Sequence, residues 1–347
     1  MTYDVVIVGT GPAGAATAQV LAREKLRVLI IDKKKEVGIP VQCGEYIPAL
    51  LLQEIAVSDD AIAQRITGLR VYFPDNQVYE FSAPGYLIHR SVFDKQLLVD
   101  ALQHGAILWL KTEFLKIEHD KIWLAREGKI VKIDARILVG ADGPNSRVNQ
   151  LINGRYKDYV IAYQQELPLL KNMDYTEVYF DPALFGGYGW VFPKKRTANV
   201  GIGVKTGHRI KVKELFSQFV ARLVKEKKVL DSPVRITTGL IPVGGPVPKT
   251  VWKNILLVGD AAGQTHPITG AGIPQAVVCG KSAGRAIIKA LKNNNLDYLI
   301  SYEDEWRQRY FAELNRALQK RKKMEVEWDR LHELLKVCWV SFPEYYG

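Results

Sequence analysis

The sequence is poor in cysteine, and its three cysteines, Cys43, Cys279 and Cys338, lie far apart. So few and so widely separated cysteines fit neither a disulfide framework nor a zinc site. No apolar run reaches the roughly 20 residues that a membrane-spanning helix needs. The first residues are a short apolar run that leads into a glycine turn, so we expect no signal peptide. These absences predict a cytoplasmic protein without a metal site.

Negative charge is also scarce relative to positive charge. The 347 residues include 48 Lys and Arg against 37 Asp and Glu, a net charge of +11. Such an excess favours anionic partners, but it is equally typical of a basic protein without any specific anionic partner. The sequence has no zinc finger, RNA-binding aromatic motif or helix-turn-helix pattern. We therefore expect no nucleic-acid partner.

The chain opens with the pattern of a strand–helix–strand unit. Val5–Val8 is a continuous apolar run, typical of a parallel strand that is covered on both faces. A helix is predicted over 12–24 and a second strand over 27–31. Between the first strand and the helix lies Gly9-Thr10-Gly11-Pro12-Ala13-Gly14, which has the glycine spacing of a dinucleotide-binding turn. This context predicts a bound nucleotide.

Each residue of this turn has a separate predicted task. Gly9 permits the tight turn, Gly11 lets the backbone approach a pyrophosphate, and Gly14 lets the helix pack closely on the strand. The helix that begins at Pro12-Ala13 offers free N–H groups and the positive end of its dipole to phosphates. Asp32 ends the second strand, where an acid accepts hydrogen bonds from ribose hydroxyls.

A nicotinamide dinucleotide could occupy the same turn, and three later features favour FAD instead. Arg90 lies at a probable helix start, within His89–Leu97. Asp142-Gly143 and Gly259-Asp260 each follow a buried strand. Gly270 and Gly272 then open a long helix, whose N–H groups can face the pyrimidine edge of a flavin. Taken singly, each feature is an ordinary strand-to-helix turn, but their order along the chain predicts FAD.

These patterns predict an α/β fold: a Rossmann-type FAD-binding domain with an inserted antiparallel β-sheet substrate domain and C-terminal helices. The predicted FAD-binding domain is discontinuous and consists of residues 1–65, 87–157 and 251–300. The β-rich substrate domain consists of 66–86 and 158–250, and the C-terminal helical region of 301–347.

The order of motifs resembles the p-hydroxybenzoate-hydroxylase type of FAD fold. Two segments resemble the geranylgeranyl reductase family within it: Pro40–Tyr46, and Tyr188–Lys194 followed by Asn199–Gly203. The resemblance covers residues 1–290, and implies reduction of isoprenoid double bonds, as in archaeal diether lipids, the phytyl chain of chlorophyll and some quinone tails. Gln42 stands where the archaeal lipid reductases commonly have arginine, and Asp32 where they have glutamate. The chain also ends sooner than most of them, which leaves the substrate open.

The resemblance implies a set of residues that contact FAD. They are Ala13, Asp32, Cys43, Gly44, Tyr46, Arg90, Phe114, Asp260, Gly272 and Ile273, of which Phe114 is assigned by its spacing from Arg90 alone. The motifs themselves add Gly9, Gly11, Pro12, Gly14, Lys33, Asp142 and Gly270.

Three aromatic residues, Tyr188, Trp190 and Phe192, are substrate candidates. Alternate residues of a strand share one face, so the three line a cavity before the flavin or form a packed aromatic core. Cys43 is the catalytic candidate. A thiol with an ordinary pKa of about 8.5 is a weak acid, so Cys43 shapes the flavin or the substrate pose, or is a small residue that merely fits.

Alternative activities remain open on the same fold. A flavin monooxygenase or halogenase is one, although a halogenase would have Trp-x-Trp-x-Ile-Pro where this chain has Tyr188–Pro193. A non-catalytic flavoprotein is another. The sequence contains no second dinucleotide turn, so the electron donor is NAD(P)H that binds transiently, or a ferredoxin.

The C-terminal part has two interpretations. Lys320–Lys323 is a run of four cations between helical stretches that contain Trp306, Tyr310, Leu314 and Leu318 before it, and Trp328, Leu331, Leu334, Leu335, Trp339, Val340 and Phe342 after it. An interfacial helix on an anionic membrane surface has this composition. The favoured alternative is that the apolar face packs on the protein and the lysines are solvated.

Overall fold

The structure is a computed structural model that describes residues 2–207 and 211–347. Its strands are β1 (Thr2–Val8), β2 (Val28–Ile31), β3 (Tyr46–Pro48), β4 (Ile62–Tyr72), β5 (Val78–Ile88), β6 (Ile107–Trp109), β7 (Thr112–Glu118), β8 (Lys121–Arg126), β9 (Lys129–Gly140), β10 (Tyr159–Pro168), β11 (Tyr175–Tyr179), β12 (Gly189–Lys194), β13 (Thr197–Lys205), β14 (Arg235–Pro242), β15 (Val251–Trp252) and β16 (Ile255–Leu257). Its α-helices are α1 (Pro12–Ala22), α2 (Arg90–Gln103), α3 (Arg147–Asn153), α4 (Val212–Lys225), α5 (Ile273–Lys292), α6 (Ile300–Trp306), α7 (Ala312–Val326) and α8 (Leu331–Cys338).

The first sheet has the strand order β15-β16-β9-β1-β2-β6, and its strands from β16 to β6 run parallel. Side chains of β1 are buried on both faces because α1, α2 and α5 cover one face and the hairpin β7–β8 with its partner β9 covers the other. This double cover explains why the strand is apolar at successive positions. The predicted Rossmann-type arrangement is confirmed.

The second sheet has the order β14-β10-β13-β12-β11-β4-β5-β3. Every neighbouring pair is antiparallel except β11 and β4, which run parallel. The inserted antiparallel sheet is therefore confirmed for the long middle segment. Three short segments that the sequence placed in the FAD-binding part also join this sheet: β3, the first residues of β4 from Ile62, and the end of β5 at Leu87 and Ile88.

Register brings the predicted nucleotide residues to one edge of the first sheet. Val8 at the end of β1 is level with Ile31 of β2 and with Gly140 of β9. The residues after these strands therefore emerge side by side. Ligands of open α/β sheets bind at this carboxyl edge. Across it lies the second sheet, with β10 and β14 nearest.

The C-terminal helices do not form one uninterrupted α-helix. A π-helical turn, Arg307–Phe311, separates α6 from α7. Such a turn inserts an extra residue and rotates the next helix about its axis. Trp306 and Leu314 are buried, whereas Tyr310 and Leu318 are only half-buried. Two of these four residues therefore lie in the core and the other two at its edge.

The cationic run does not form a continuous solvated surface. Arg321 is 6% exposed, and its guanidinium donates to the carbonyls of Gly186 at 2.7 Å and Pro267 at 3.0 Å. The apolar residues after it belong to a core shared with the second sheet, and the buried ones are Trp328, Leu331, Leu334, Leu335, Trp339 and Phe342. This agrees with the packing interpretation. Within the described ranges, we find no helix long and apolar enough to cross a membrane.

Candidate active site

The three glycines of the nucleotide turn differ in what a side chain would meet. Gly9 has φ +110°, and a Cβ there would lie 2.2 Å from the carbonyl oxygen of Ala141. A Cβ on Gly14 would lie 2.0 Å from the carbonyl oxygen of Gly9. A Cβ on Gly11 would meet nothing within 4 Å. Gly9 and Gly14 thus serve the packing of the turn, while Gly11 leaves open space before α1.

That open space belongs to a cavity of about 650 Å³ between the two sheets. Ligand sites commonly have volumes of about 300–1,000 Å³. Of the residues predicted from the sequence, the cavity wall includes Gly9, Gly11, Asp32, Lys33, Phe114 and Asp142. The wall facing them comes from Ile161 and Thr238–Leu240 of the second sheet. Phe114, predicted by spacing alone, therefore lines the same cavity as the nucleotide turn.

Asp32 is held in place by three hydrogen bonds. Its Oδ2 accepts from the Thr10 amide at 2.9 Å and from the Thr10 hydroxyl at 2.6 Å, and its Oδ1 accepts from the Lys34 amide at 2.9 Å. A carboxylate has about four acceptor positions, so capacity for a further hydroxyl donor is left. The Asp32 side chain is therefore fixed in one orientation at the wall of the cavity.

The carboxylate of Asp142 has a different task from the one that its position predicts. It accepts from the Ser146 hydroxyl and from the amides of Arg147 at 2.7 Å and Val148 at 3.3 Å. These groups form the beginning of α3, whose first amides have no partners within the helix. Asp142 therefore borders the cavity, but its carboxylate is used to cap a helix.

A second helix start lies around Asp260. The Asp260 carboxylate accepts from the Thr265 hydroxyl, and a Cβ on Gly272 would lie 3.3 Å from Asp260 Oδ1. Burial raises the pKa of Asp260, against the opposing effects of Thr265 and Arg90. Gly272 caps α5, and Ile273 is its first residue. An additional hydroxyl donor would therefore stabilise the ionised form of the Asp260 carboxylate.

The start of α1 packs beside this second helix start. A Cβ on Gly259 would lie 2.9 Å from the Cβ of Ala13, so the two turns are in close contact. Pro12 is the first residue of α1, and Gly270 has φ +68° in the loop before α5. The helices α1 and α5 run in the same direction, because Gly280 lies beside Ala13 and Gly284 beside Val20, so both N-termini are on the same side, where they favour an anionic or electron-rich ligand.

The turn that contains Cys43 is bound to the second sheet. The Cys43 carbonyl accepts from Gln164 Nε2 at 3.1 Å, and the Gly44 carbonyl accepts from Asn199 Nδ2 at 3.1 Å. The Cys43 thiol accepts from the Glu45 amide at 3.2 Å. Burial raises the pKa of Cys43, although Arg90 acts in the opposite direction. The thiol is therefore protonated at neutral pH.

Arg90 and Tyr46 are placed around this turn rather than in the large cavity. The Arg90 guanidinium donates to both oxygens of Asp94, at 2.7 and 2.8 Å. Burial alone would lower its pKa, but Asp94 raises the pKa of Arg90. Tyr46 lies on β3 and donates to the Ala83 carbonyl at 3.0 Å, and burial raises the pKa of Tyr46 to about 12. Both side chains are already engaged within the protein.

The aromatic residues Tyr188, Trp190 and Phe192 are packed together, and the first two also line small cavities. Their ring centroids are 6.0 Å apart from Tyr188 to Trp190 and 6.4 Å apart from Trp190 to Phe192. Tyr188 donates to the Thr269 carbonyl, and Trp190 Nε1 donates to Gln164 Oε1 at 2.9 Å. The three side chains therefore form a packed aromatic cluster, and their predicted contact with the substrate stays a prediction.

Three small, separate cavities lie in a row beside the large one, and each shares wall residues with the next. The first, about 50 Å³, shares Gln42 and Thr238–Leu240 with the large cavity and is also lined by Cys43 and Trp190. A cavity of about 20 Å³ comes next, between Trp190 and Tyr188, and includes Gly270 in its wall. The last, about 10 Å³, ends against Arg321, Met324 and Trp328. The row leads from the nucleotide turn to the apolar core under α7.

Sequence reasoning missed the polar residues that hold this site together. Glu45, Lys194, Gln164 and Asn199 are each at most 7% exposed. One signal was available for the first two, because each is a charged residue inside an otherwise apolar motif segment. Such residues are seldom buried without a partner.

Solved structures with the same fold are flavoproteins. A geranylgeranyl bacteriochlorophyll reductase-like protein from Thermoplasma acidophilum superposes with a TM-score of 0.87 at 29% identity, over 100% of this chain and 94% of that one. A probable FAD-dependent monooxygenase from Pseudomonas aeruginosa, at 19% identity and a TM-score of 0.74, covers 96% of this chain and is covered completely, and it shares the fold alone. By fold, the chain is similar to FAD-dependent enzymes, and the reductase-like neighbour at 29% identity indicates an oxidoreductase.

Sequence relatives narrow the class to a family. A family model described as lycopene cyclase protein matches residues 4–337. The digeranylgeranylglycerophospholipid reductase of Methanococcus aeolicus is 32% identical over 93% of this chain and 86% of its own length. Digeranylgeranylglycerophospholipid reductase 1 of Methanopyrus kandleri is 34% identical over 89% of this chain and 87% of its own. The chain belongs to the geranylgeranyl reductase family, as its motifs indicated.

Proposed function

We propose that the protein uses FAD to reduce carbon–carbon double bonds of an isoprenoid chain. The observation that carries this proposal is the row of cavities from the nucleotide turn, past Cys43 and Trp190, to the apolar core under α7. The aromatic side chains along this row suit a slender hydrocarbon, which would have to part them, because cavities of about 10–50 Å³ hold only a few water molecules. The names of the reductase relatives support the same substrate class.

The residues present fit FAD in chemistry and in space. Gly11 and the N-terminus of α1 would hold the pyrophosphate, and Asp32 would accept from a ribose hydroxyl. Asp260 would accept from a hydroxyl of the flavin side chain, and the N-terminus of α5 would face the ring system. When bound, FAD would supply the electrons of the reduction.

The surrounding side chains would exclude water and retain protons. Trp190 is 7% exposed and, with Tyr188, leaves little room for solvent along the path. Burial raises the pKa of both Cys43 and Tyr188, so each keeps its proton at neutral pH. Saturating one double bond consumes two electrons and two protons, and a protonated group beside the alkene is therefore useful.

Mass spectrometry of the lipid product tests the proposed reaction. The reduced protein is mixed without oxygen with a geranylgeranyl glycerolipid. Reduction adds two hydrogens for each double bond in this sample. In a parallel sample with air, a monooxygenase would instead add an oxygen atom. A cyclisation leaves the mass unchanged. Addition of hydrogen supports the proposal, and an unchanged lipid with every reductant rules it out.

Cys43→Ala tests whether the thiol takes part. We expect this variant to keep its flavin, because the turn is held through backbone carbonyls, and to lose most of its turnover. Flavin absorbance and product formation are measured on the same sample. Full turnover would mean that Cys43 merely fills space.

The partners of the reaction are tested separately. NAD(P)H and a reduced ferredoxin are the candidate donors, and rapid mixing of each with the protein shows which one bleaches the flavin. The apolar C-terminal residues are packed inside the protein, so contact with an anionic membrane surface would be electrostatic. Flotation with anionic vesicles would then weaken as salt increases, whereas absence of flotation at low salt excludes that contact.

A further inference from the structure

Four hydrogen-bond donors converge on the buried carboxylate of Glu45. Its Oε1 accepts from the Arg90 amide at 2.8 Å. Its Oε2 accepts from Lys194 Nζ at 2.7 Å, Asn199 Nδ2 at 2.9 Å and Arg235 Nη2 at 3.1 Å. Glu45 is 1% exposed and Lys194 is 7% exposed. A buried charge needs partners of this kind, because unpaired burial is very costly.

The backbone of Glu45 is in an unusual conformation. Its φ is +71°, in the left-handed region that glycine normally occupies. Residues with side chains remain there only when their surroundings enforce it. A glycine at position 45 would adopt this conformation without strain. A glutamate at this position indicates that the side chain, rather than the backbone, is what the turn requires.

One face of β12 contacts each residue of the turn. Trp190 reaches Cys43 through Gln164, which accepts from Trp190 Nε1 and donates to the Cys43 carbonyl. Phe192 packs on Gly44, where a Cβ would lie 2.8 Å from Phe192 Cε2. Lys194 binds Glu45. These are positions i, i+2 and i+4 of a strand, which point to the same side of the sheet.

We propose that Lys194 and Glu45 are positioning residues that fix the Cys43–Gly44 turn in one conformation beside the cofactor cavity. The part that concerns turnover rests on the proposed function. The structural part does not, because Cys43 itself reports the state of the turn. Cys43 is half-buried, whereas Cys279 and Cys338 are 1% and 0% exposed.

Alkylation of Cys43 by iodoacetamide, located by peptide mass spectrometry, measures how often the turn opens. In the native flavin-free protein, Lys194→Met should make this reaction on the order of tenfold faster, because local opening controls access to the thiol. Glu45→Gln keeps the side-chain volume and should also make the alkylation faster, because its NH₂ group would face hydrogen-bond donors that need an acceptor. It serves as the test if Lys194→Met does not fold. An unchanged rate in a folded variant overturns the proposal.

Lys228→Met is the matched control. Lys228 also pairs with a buried glutamate, since its Nζ lies 2.8 Å from Glu177 Oε2. This second ion pair lies outside the site. We expect Lys228→Met to lower the melting temperature but to leave the alkylation rate of Cys43 near that of the unmodified protein. Equal acceleration by Lys194→Met and Lys228→Met would show general loosening and overturn the positioning role.

The double variant Glu45→Met/Lys194→Met separates stability from positioning. Apolar replacement of a buried ion pair often restores stability, and Arg235 keeps Glu166 at 3.2 Å as a partner. We expect the double variant to melt higher than Lys194→Met while Cys43 still reacts fast.

For turnover, we expect the kcat of these variants to fall while KM stays unchanged. If alkylation behaves as expected but the unmodified protein reduces no isoprenoid, the proposed function fails and the positioning role stands. Slow alkylation in the double variant contradicts the positioning role.

Discussion

At the scale of single residues, the nucleotide turn separates packing from binding. Gly11 has φ −69° and ψ 179°, which any residue adopts, and its missing side chain faces open space. We therefore expect Gly11→Val to melt close to the flavin-free unmodified protein but to bind little flavin, because the side chain would occupy the pyrophosphate position. Flavin content is measured by absorbance after purification.

Gly14→Ala provides the comparison for Gly11→Val. Its added Cβ would collide with the backbone of Gly9, so this variant should lose stability as well as flavin. A Gly11→Val protein that keeps its full flavin content would contradict the assignment of this turn to the cofactor.

Asp260 gives a pH-dependent prediction. Burial raises its pKa in the folded protein above the unfolded value of about 3.9. Between these two values the folded state binds more protons, so its stability falls as the pH rises through that interval. In flavin-free protein, Asp260→Asn should therefore be more stable than the unmodified protein at pH 7, and this gain should disappear as the pH falls below the unfolded value.

Urea unfolding at several pH values measures the effect of Asp260→Asn. The same variant should bind flavin less tightly, since a neutral amide is a weaker acceptor than a carboxylate. A stability difference that stays constant with pH would show that ionisation of Asp260 is not its source.

The sequence identified residues whose task is fixed by their position along the chain. Asp32 comes directly after a strand, and both its position and its role in the turn could be read from the glycine spacing. The capping contact of Asp142 could not, because an acid after a strand looks the same whether it faces a ligand or a helix start. The choice depends on where Ser146 and Arg147 lie in space.

At the scale of elements, the packing of α1 against α5 depends on small residues. A Cβ on Gly280 would lie 2.5 Å from the carbonyl oxygen of Ala13, and the Gly280 carbonyl itself accepts from Thr17 Oγ1 at 3.0 Å. Helix propensity alone would make Gly280→Ala stabilising by about 1 kcal/mol. We expect the opposite sign, a loss of about 1–3 kcal/mol, because a rigid backbone is in the way.

Urea unfolding decides the sign for Gly280→Ala. Lys289→Ala, on the exposed side of the same helix, is the control and should change the free energy of unfolding by less than about 0.5 kcal/mol. A stabilised Gly280→Ala protein would mean that the two helices can separate at little cost.

Elements with a strong pattern were predictable, and those without one were not. The strands β1 and β2 are continuous apolar runs next to turn glycines, so their ends at Val8 and Ile31 were predicted correctly, whereas the start of β1 lies three residues before the predicted one. The strand β3 has three residues, too few for a period. The π-helical turn at Arg307–Phe311 was also hidden, because apolar residues spaced by four fit an uninterrupted α-helix equally well.

At the scale of the whole molecule, the site exists only where the two sheets meet. Glu45 and Lys194 are 149 residues apart in the chain yet form one buried ion pair. Both belong to motif segments, but no local pattern pairs one segment with the other. Sequence reasoning could therefore name the two segments as parts of the site, whereas their contact results from the tertiary fold.

The C-terminal helices close the far end of the cavity row and cover the second sheet. Met324, Trp328 and Leu335 share a core with Phe73 and Phe180. Each large apolar side chain contributes about 1.5–3 kcal/mol when it is fully buried. We therefore expect removal of residues 320–347 to abolish cooperative unfolding and to cause aggregation, as monitored by circular dichroism during heating and by light scattering.

Replacement of exposed cations tests the same region without uncovering its core. The double variant Lys322→Gln/Lys323→Gln should have the same melting temperature as the unmodified protein, because both side chains are exposed. Arg321→Gln should melt lower, because it loses contacts to the Gly186 and Pro267 carbonyls and leaves Glu325 with one cation fewer. A truncated protein that stays monomeric with an unchanged melting curve would contradict this view of the C-terminus. It would mean that the helices cover the sheet without supporting it, and that the end of the cavity row is free to open.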